Sequence, residues 1–208
     1  EVYEKTAHLF TALETVLETE PSLCYDYEYD RIISFGELLS TTIVAAYLEK
    51  QGRKAKFVDI RKCIKTDVNY RNANVDPELS AQLCRKTFTF QDTFMYITQG
   101  FIAGTTTNQT TTLGREGSDY TAALLANLLD AENVTIWKDV PGIMSADPKI
   151  YDNTEIISKL SYREAIELSN FGAKVIHPKT IKPIQNKKIP LYVKSFMNPE
   201  APGSVIRE

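Results

Sequence analysis

Residues that commonly build a metal centre or a covalent catalyst are scarce: 208 residues contain three cysteines, two histidines and one tryptophan. Cys24, Cys63 and Cys84 are scattered and His8 is far from His177, so no metal-ligand spacing occurs and no metal site is expected. An odd, dispersed set of thiols also argues against a disulfide framework. It fits a reducing compartment, from which a cytoplasmic location is expected. No two of the nine glycines are adjacent. No unbroken apolar run approaches the roughly 18–20 residues that span a bilayer, so no membrane partner is expected. An excess of one charge is missing too: 24 Lys+Arg against 27 Asp+Glu leave −3, which speaks against a dedicated nucleic-acid binder. The chain opens on Glu1-Val2-Tyr3 without a signal peptide, and the expectation is a portion of a longer protein.

What is present suits a globular core. Hydrophobic residues make up 43% and charged ones 25%, and a chain of this mass buries roughly 70% of its surface on folding. Charge is unevenly spread. Residues 1–30 hold eight acids and one Lys, as expected of a solvated helical face, whereas residues 172–194 hold six Lys and no acid. That basic stretch fits either another solvated face or the lining of an anion site.

Apolar spacing predicts a helix over residues 1–19, ended by Pro21, and another opening at Ser34 and closing at Gly52. A strand follows at 55–60. Asp76-Pro77 caps a third helix running to about Phe88. Further strands are predicted at 93–98, 134–137 and 190–194, and helices at 118–130, 161–170 and 178–187, with the polar stretch 104–113 left as loop. Strands alternating with helices predict an α/β fold, three layers deep, around a central, mainly parallel sheet. Ligands in such a sheet gather beyond the carboxyl ends of its strands.

Gly100, Gly104, Gly114 and Gly117 fall within 18 residues, after one predicted strand and before a helix that opens at Ser118-Asp119. Glycines let a backbone approach an anion, and a helix N-terminus offers it free N–H groups. An ordinary surface loop with Ser118 as N-cap fits the same residues. Arg115, inside this turn, is either a bidentate partner for a carboxylate or phosphate or a solvated surface residue. Ser34-Phe35-Gly36-Glu37 matches a capping box, and a carboxylate at a helix start could equally receive a ligand ammonium. Trp137-Lys138-Asp139-Val140-Pro141-Gly142 puts Lys138 and Asp139 at a strand end. Phe171-Gly172-Ala173-Lys174-Val175-Ile176-His177-Pro178 sets a Lys between helices, with His177 a cap or packing residue.

Five ordered segments together resemble the catalytic domain of the aspartate kinases, in the amino acid kinase family. They are Phe35-Gly36-Glu37-Leu38-Leu39-Ser40, Ile97-Thr98-Gln99-Gly100-Phe101-Ile102, residues 110–121 (Thr-Thr-Thr-Leu-Gly-Arg-Glu-Gly-Ser-Asp-Tyr-Thr), residues 137–143 and residues 171–178. The likeness covers nearly all of residues 30–206. It implies the amino acid kinase fold, incomplete at its N-terminus, and transfer of the γ-phosphoryl group of ATP, with Mg²⁺, to the side-chain carboxylate of L-aspartate. That step opens lysine, threonine and methionine synthesis. By the same resemblance Glu37 holds the substrate ammonium and Arg115 its α-carboxylate. Ser118, Gly117 and Glu116 complete the pocket, and Phe101 lines it. Lys138, Asp139, Met144 and Lys149 contact ATP, as do Lys174 and Val175, while Asp119 organises the lysines around the transferring group. The implied lobes are about 1–115 for aspartate and 116–208 for nucleotide. A carboxylate is already ionised at neutral pH, so no general base is needed, and catalysis must rest on cations and alignment.

The sequence also departs from that family. Its members carry a Lys-Phe-Gly-Gly-Thr-Ser motif, whose lysine contacts the transferring phosphates, and C-terminal ACT domains through which the parent is expected to oligomerise. Neither is found among these residues. The expectation is therefore an excised portion of the catalytic domain, with little or no kinase activity alone. Glu116, Lys138 and Met144 stand where glycine, threonine and tyrosine are common. Another amino acid kinase with a glutamate-type substrate, or a noncatalytic nucleotide- or amino-acid-binding module, are the alternatives.

Overall fold

The computed structural model describes residues 2–147, 150–170 and 175–208. They form two compact units, Glu1–Ser118 and Asp119–Glu208. In the first unit, α1 (Val2–Glu18) lies along α2 (Tyr25–Lys50) and fully buries none of its residues. Helix α2 begins nine residues before the predicted start, because Asp26 and Glu28 favour its N-terminal turn and nothing in Tyr25–Ile33 breaks a helix. Ser34 therefore sits mid-helix, where its hydroxyl donates to the Arg31 carbonyl at 2.9 Å, and the expected capping box does not form. By length and composition α2 could cross a bilayer, a property that buried core helices share, although polar residues interrupt its apolar run. Its buried face carries Asp30, Ser34, Leu38, Thr42 and Ala45.

Strand β1 (Ala55–Val58) pairs parallel with β2 (Met95–Thr98), Val58 opposite Thr98. A 3-10 turn, Ile60–Lys62, and α3 (Pro77–Thr87) come between them in the chain. As expected, Asp76 caps α3, its side chain accepting from Leu79 N with Pro77 in the first turn. The stretch read as loop is instead a hairpin of β3 (Ile102–Gly104) and β4 (Thr110–Thr112). Threonine is β-branched and suits strands. Thr111 and Thr112 are buried, with Thr111 Oγ1 2.7 Å from Thr66 Oγ1.

Helix α4 (Gly117–Leu128) leads into the second unit, where β5 (Val134–Lys138), β6 (Lys159–Leu160), β7 (Leu191–Ser195) and β8 (Ser204–Ile206) form one sheet in the order β5-β7-β8-β6. β5 and β7 are parallel, as are β6 and β8; only β7 and β8 run antiparallel. Helices α5 (Tyr162–Asn170) and α6 (Pro178–Gln185) connect β6 to β7. Ile136, Leu191, Val193 and Ile206 of the strands share one core with Ala123, Ala165 and Ile181 of the helices. Burying side chains of this size stabilises by roughly 1.5–3 kcal/mol each. The short strands β6 and β8 escape sequence reading because two or three residues carry no period.

Candidate active site

In the first unit the carboxyl ends of β1 and β2 open into Asp59 and Gln99. Gln99 is 1% exposed: its Oε1 accepts from Ile60 N at 2.9 Å and its Nε2 donates to Thr41 Oγ1 at 2.9 Å. Thr41 Oγ1 in turn donates to the Glu37 carbonyl at 2.6 Å. The strand end is thereby tied to the turn of α2 that carries Glu37. Partial burial raises the Glu37 carboxyl above its ordinary 4.5. Burial acts the same way on Asp59, but the hydrogen bonds and charge of Arg61 outweigh it and hold that carboxyl below its usual range.

After Gln99 the chain turns sharply. Phe101 is left-handed (φ 70°), and its carbonyl accepts from Leu113 N at 2.9 Å. A Cβ on Gly100 would come 2.9 Å from Ser118 Cα, and one on Gly117 2.8 Å from the Phe101 ring. These two glycines let the β2–β3 turn and the start of α4 close on each other, which brings Phe101, Gly117 and Ser118 together. Helix α4 begins at Gly117, so Ser118 stands within its first turn rather than before it. Arg115 is exposed. Glu116 is left-handed (φ 53°), and its Oε2 is buried without a hydrogen-bond partner.

Sequence reading missed Asp30. It is fully buried, and its carboxylate accepts from Thr112 N and Arg71 N, both at 2.8 Å, and from Thr112 Oγ1 at 2.7 Å. Asp30, Ser34, Glu37 and Thr41 recur at three- to four-residue steps. That polar stripe becomes visible once α2 is started at Tyr25.

In the second unit, Lys138 ends β5 and its Nζ lies 2.7 Å from Asp119 Oδ2, an ion pair with both side chains mostly buried. Asp139 follows, exposed. Met144 is half-buried and bridges to Ile156, while Gly142 precedes Ile143, whose N–H donates to Ser204 Oγ at 2.8 Å. Val175 is half-buried near the start of α6. His177 does cap α6, its Nδ1 accepting from Lys179 N. Lys179 Nζ lies 4.8 Å from the Tyr120 ring centroid, and burial lowers its ammonium below the ordinary 10.5. Lys149 and Lys174 lie outside the described residues.

Residues 4–195 match the amino acid kinase family model. The chain belongs to the amino acid kinase family. Among similar proteins is lysine-sensitive aspartokinase 3 of Escherichia coli, 39% identical over 191 residues, 91% of this chain and 41% of that protein. Another is the chloroplastic bifunctional aspartokinase/homoserine dehydrogenase 1 of Zea mays, 41% identical over 180 residues, 85% of this chain and 19% of that one. The crystal structure of E. coli aspartokinase III in complex with aspartate and ADP superposes with a TM-score of 0.93 at 35% identity, covering 100% of this chain and 46% of that one. Clostridium acetobutylicum aspartate kinase gives 0.81 at 30% identity, covering 97% of this chain and 43% of that one. This amino acid kinase chain thus has the expected α/β fold and spans less than half the length of these larger relatives.

Proposed function

We propose that this amino acid kinase chain is part of an aspartate kinase, which transfers the γ-phosphoryl group of ATP to the side-chain carboxylate of L-aspartate to give 4-phospho-L-aspartate. The carrying observation is the 0.93 superposition, over the whole chain, on an aspartokinase crystallised with aspartate and ADP. In this reading residues 1–115 belong to an aspartate-binding lobe and 116–208 to a nucleotide-binding lobe. Glu37 receives the substrate ammonium, Arg115 pairs with its α-carboxylate, and Ser118, the Gly117 backbone, Glu116 and Phe101 complete the pocket. The exposure of Arg115 supports this role, since a free guanidinium can take a carboxylate in a bidentate pair.

Lys138, Asp139, Met144, Lys149, Lys174 and Val175 are assigned to ATP. Met144 would cover a face of the base with its polarizable thioether. The acceptor carboxylate is ionised at neutral pH, so the barrier is the repulsion between two anions, and cations with fixed alignment lower it. The ion pair of Lys138 with Asp119 supports this. Asp119 fixes an ammonium at the end of β5, where Lys138 can neutralise phosphate charge without reorganising. Mg²⁺ prefers phosphate oxygens and water with one or two carboxylates. Bound with the triphosphate, Mg²⁺ would add positive charge beside the transferring group.

The parent protein is proposed to be a cytoplasmic homo-oligomer joined through ACT domains, acting at the head of lysine, threonine and methionine synthesis. Three unpaired thiols support a reducing compartment. In the full-length protein, Glu37→Ala and Arg115→Ala should each raise the KM for L-aspartate by at least about tenfold, the scale of a lost charged contact, with ATP affinity little changed. Equal losses for both substrates, or phosphorylation of glutamate in preference to aspartate, would refute the pocket.

A further inference from the structure

Asp30 and Glu37 lie seven residues apart on α2, two turns along one face. Asp30 is wholly enclosed, and all three of its partners are donors from the segment leading to Arg115 or from the loop beside it. Thr112, the last residue of β4, is gripped by both its N–H and its hydroxyl, and its carbonyl accepts from Ala73 N at 2.9 Å. Arg71, held through its own N–H, is left-handed (φ 64°), and the Arg71 carbonyl and Asn72 side chain leave no room for a Cβ on Gly114. The turn at Gly114 is thereby fixed one residue before Arg115.

We infer that Asp30 is a positioning residue that clamps β4 to α2 and so sets the spacing between Glu37 and Arg115. The inference rests on the aspartate pocket proposed above. An α-amino acid presents its ammonium and α-carboxylate at a fixed separation on one carbon, so two clamps on different elements serve only if their distance is held. Glu37 is fixed on α2, whereas Arg115 sits on a turn with an exposed side chain. The carboxylate of Asp30 joins these two elements, and a network of hydrogen bonds in a dry interior is stiff. An amide could keep this geometry, its oxygen accepting from both N–H groups and its NH₂ donating to the Thr112 hydroxyl, whereas removing the side chain leaves the Arg71 and Thr112 N–H groups without an acceptor.

The test is steady-state kinetics on the full-length protein. Asp30→Ala should raise the KM for L-aspartate by about tenfold, with the KM for ATP within about twofold of wild type. Thr112→Val, which removes only the hydroxyl, should raise it severalfold, and Thr112→Ser should restore it. This pair carries the test if Asp30→Ala does not fold. An active wild type whose variants lose thermal stability while both KM values stay unchanged or rise together would overturn the inference alone. A wild type that never turns over L-aspartate would overturn the substrate reading, and this inference with it.

Discussion

Glu37 is the residue on which pH should act most directly. In the proposed pocket it must be ionised to receive an ammonium, and burial holds its carboxyl above 4.5. Aspartate binding should therefore strengthen as pH rises through that raised value, and weaken on acidification earlier than an ordinary Glu would allow. The stability linkage has the opposite sign. Because the folded carboxyl is raised, its contribution is present at pH below the ordinary value and fades as pH rises through the folded one. Aspartate affinity by calorimetry and unfolding midpoints measured over one acid series check both trends. Glu116 gives a second residue-scale prediction. A left-handed backbone opposes a side chain by roughly 1–2 kcal/mol, and the buried carboxylate oxygen has no partner. Glu116→Gly, the residue common in aspartate kinases, should stabilise the protein by about 1 kcal/mol in denaturant unfolding, net of the greater entropy of glycine in the unfolded chain.

At the scale of elements, legibility followed length and period. Helices α3, α5 and α6 and strands β5 and β7 were readable because caps, prolines and apolar runs bounded them. Helix α2 was misread at its start because Ser34 and Glu37 have capping-box spacing, a local pattern that long-range packing of Asp30 and Ser34 overrides. The threonine run looked like loop because its hydroxyls are polar, yet Thr66 and Asp30 satisfy two of them inside the protein. The segments of the proposed site stand out in the sequence as ordered motifs, whereas Asp30 does not, since only tertiary structure joins it to Thr112. The glycines make a paired prediction. Gly100→Ala drives a methyl against the α4 backbone and should destabilise by about 1–3 kcal/mol. Gly36→Ala meets nothing within 4 Å in mid-helix and should stabilise by about 0.5–1 kcal/mol. Chemical denaturation of both variants beside wild type measures the contrast.

On the scale of the whole chain, its own residues leave apolar surface uncovered within the first unit. Tyr3, Phe10 and Leu17 of α1 and Ile43, Val44 and Tyr47 of α2 are exposed, and a cleft of about 610 Å³ opens among α1, α2 and β1. The 208-residue polypeptide should therefore bind a hydrophobic dye such as ANS and self-associate on concentration. Fluorescence titration with sedimentation checks this; no dye binding and a monomer at every concentration would contradict it. The two modes of strand pairing also differ in how far the chain must travel. Thr110 meets Gly104 across five intervening residues, whereas Met95 meets Ala55 across thirty-nine. Closing a longer loop loses more entropy before any contact rewards it. During refolding the threonine hairpin should acquire protected amides first, with the β1–β2 ladder following, so that the helix bearing Glu37 can dock on the strand ending at Thr112 before β1 and β2 have paired.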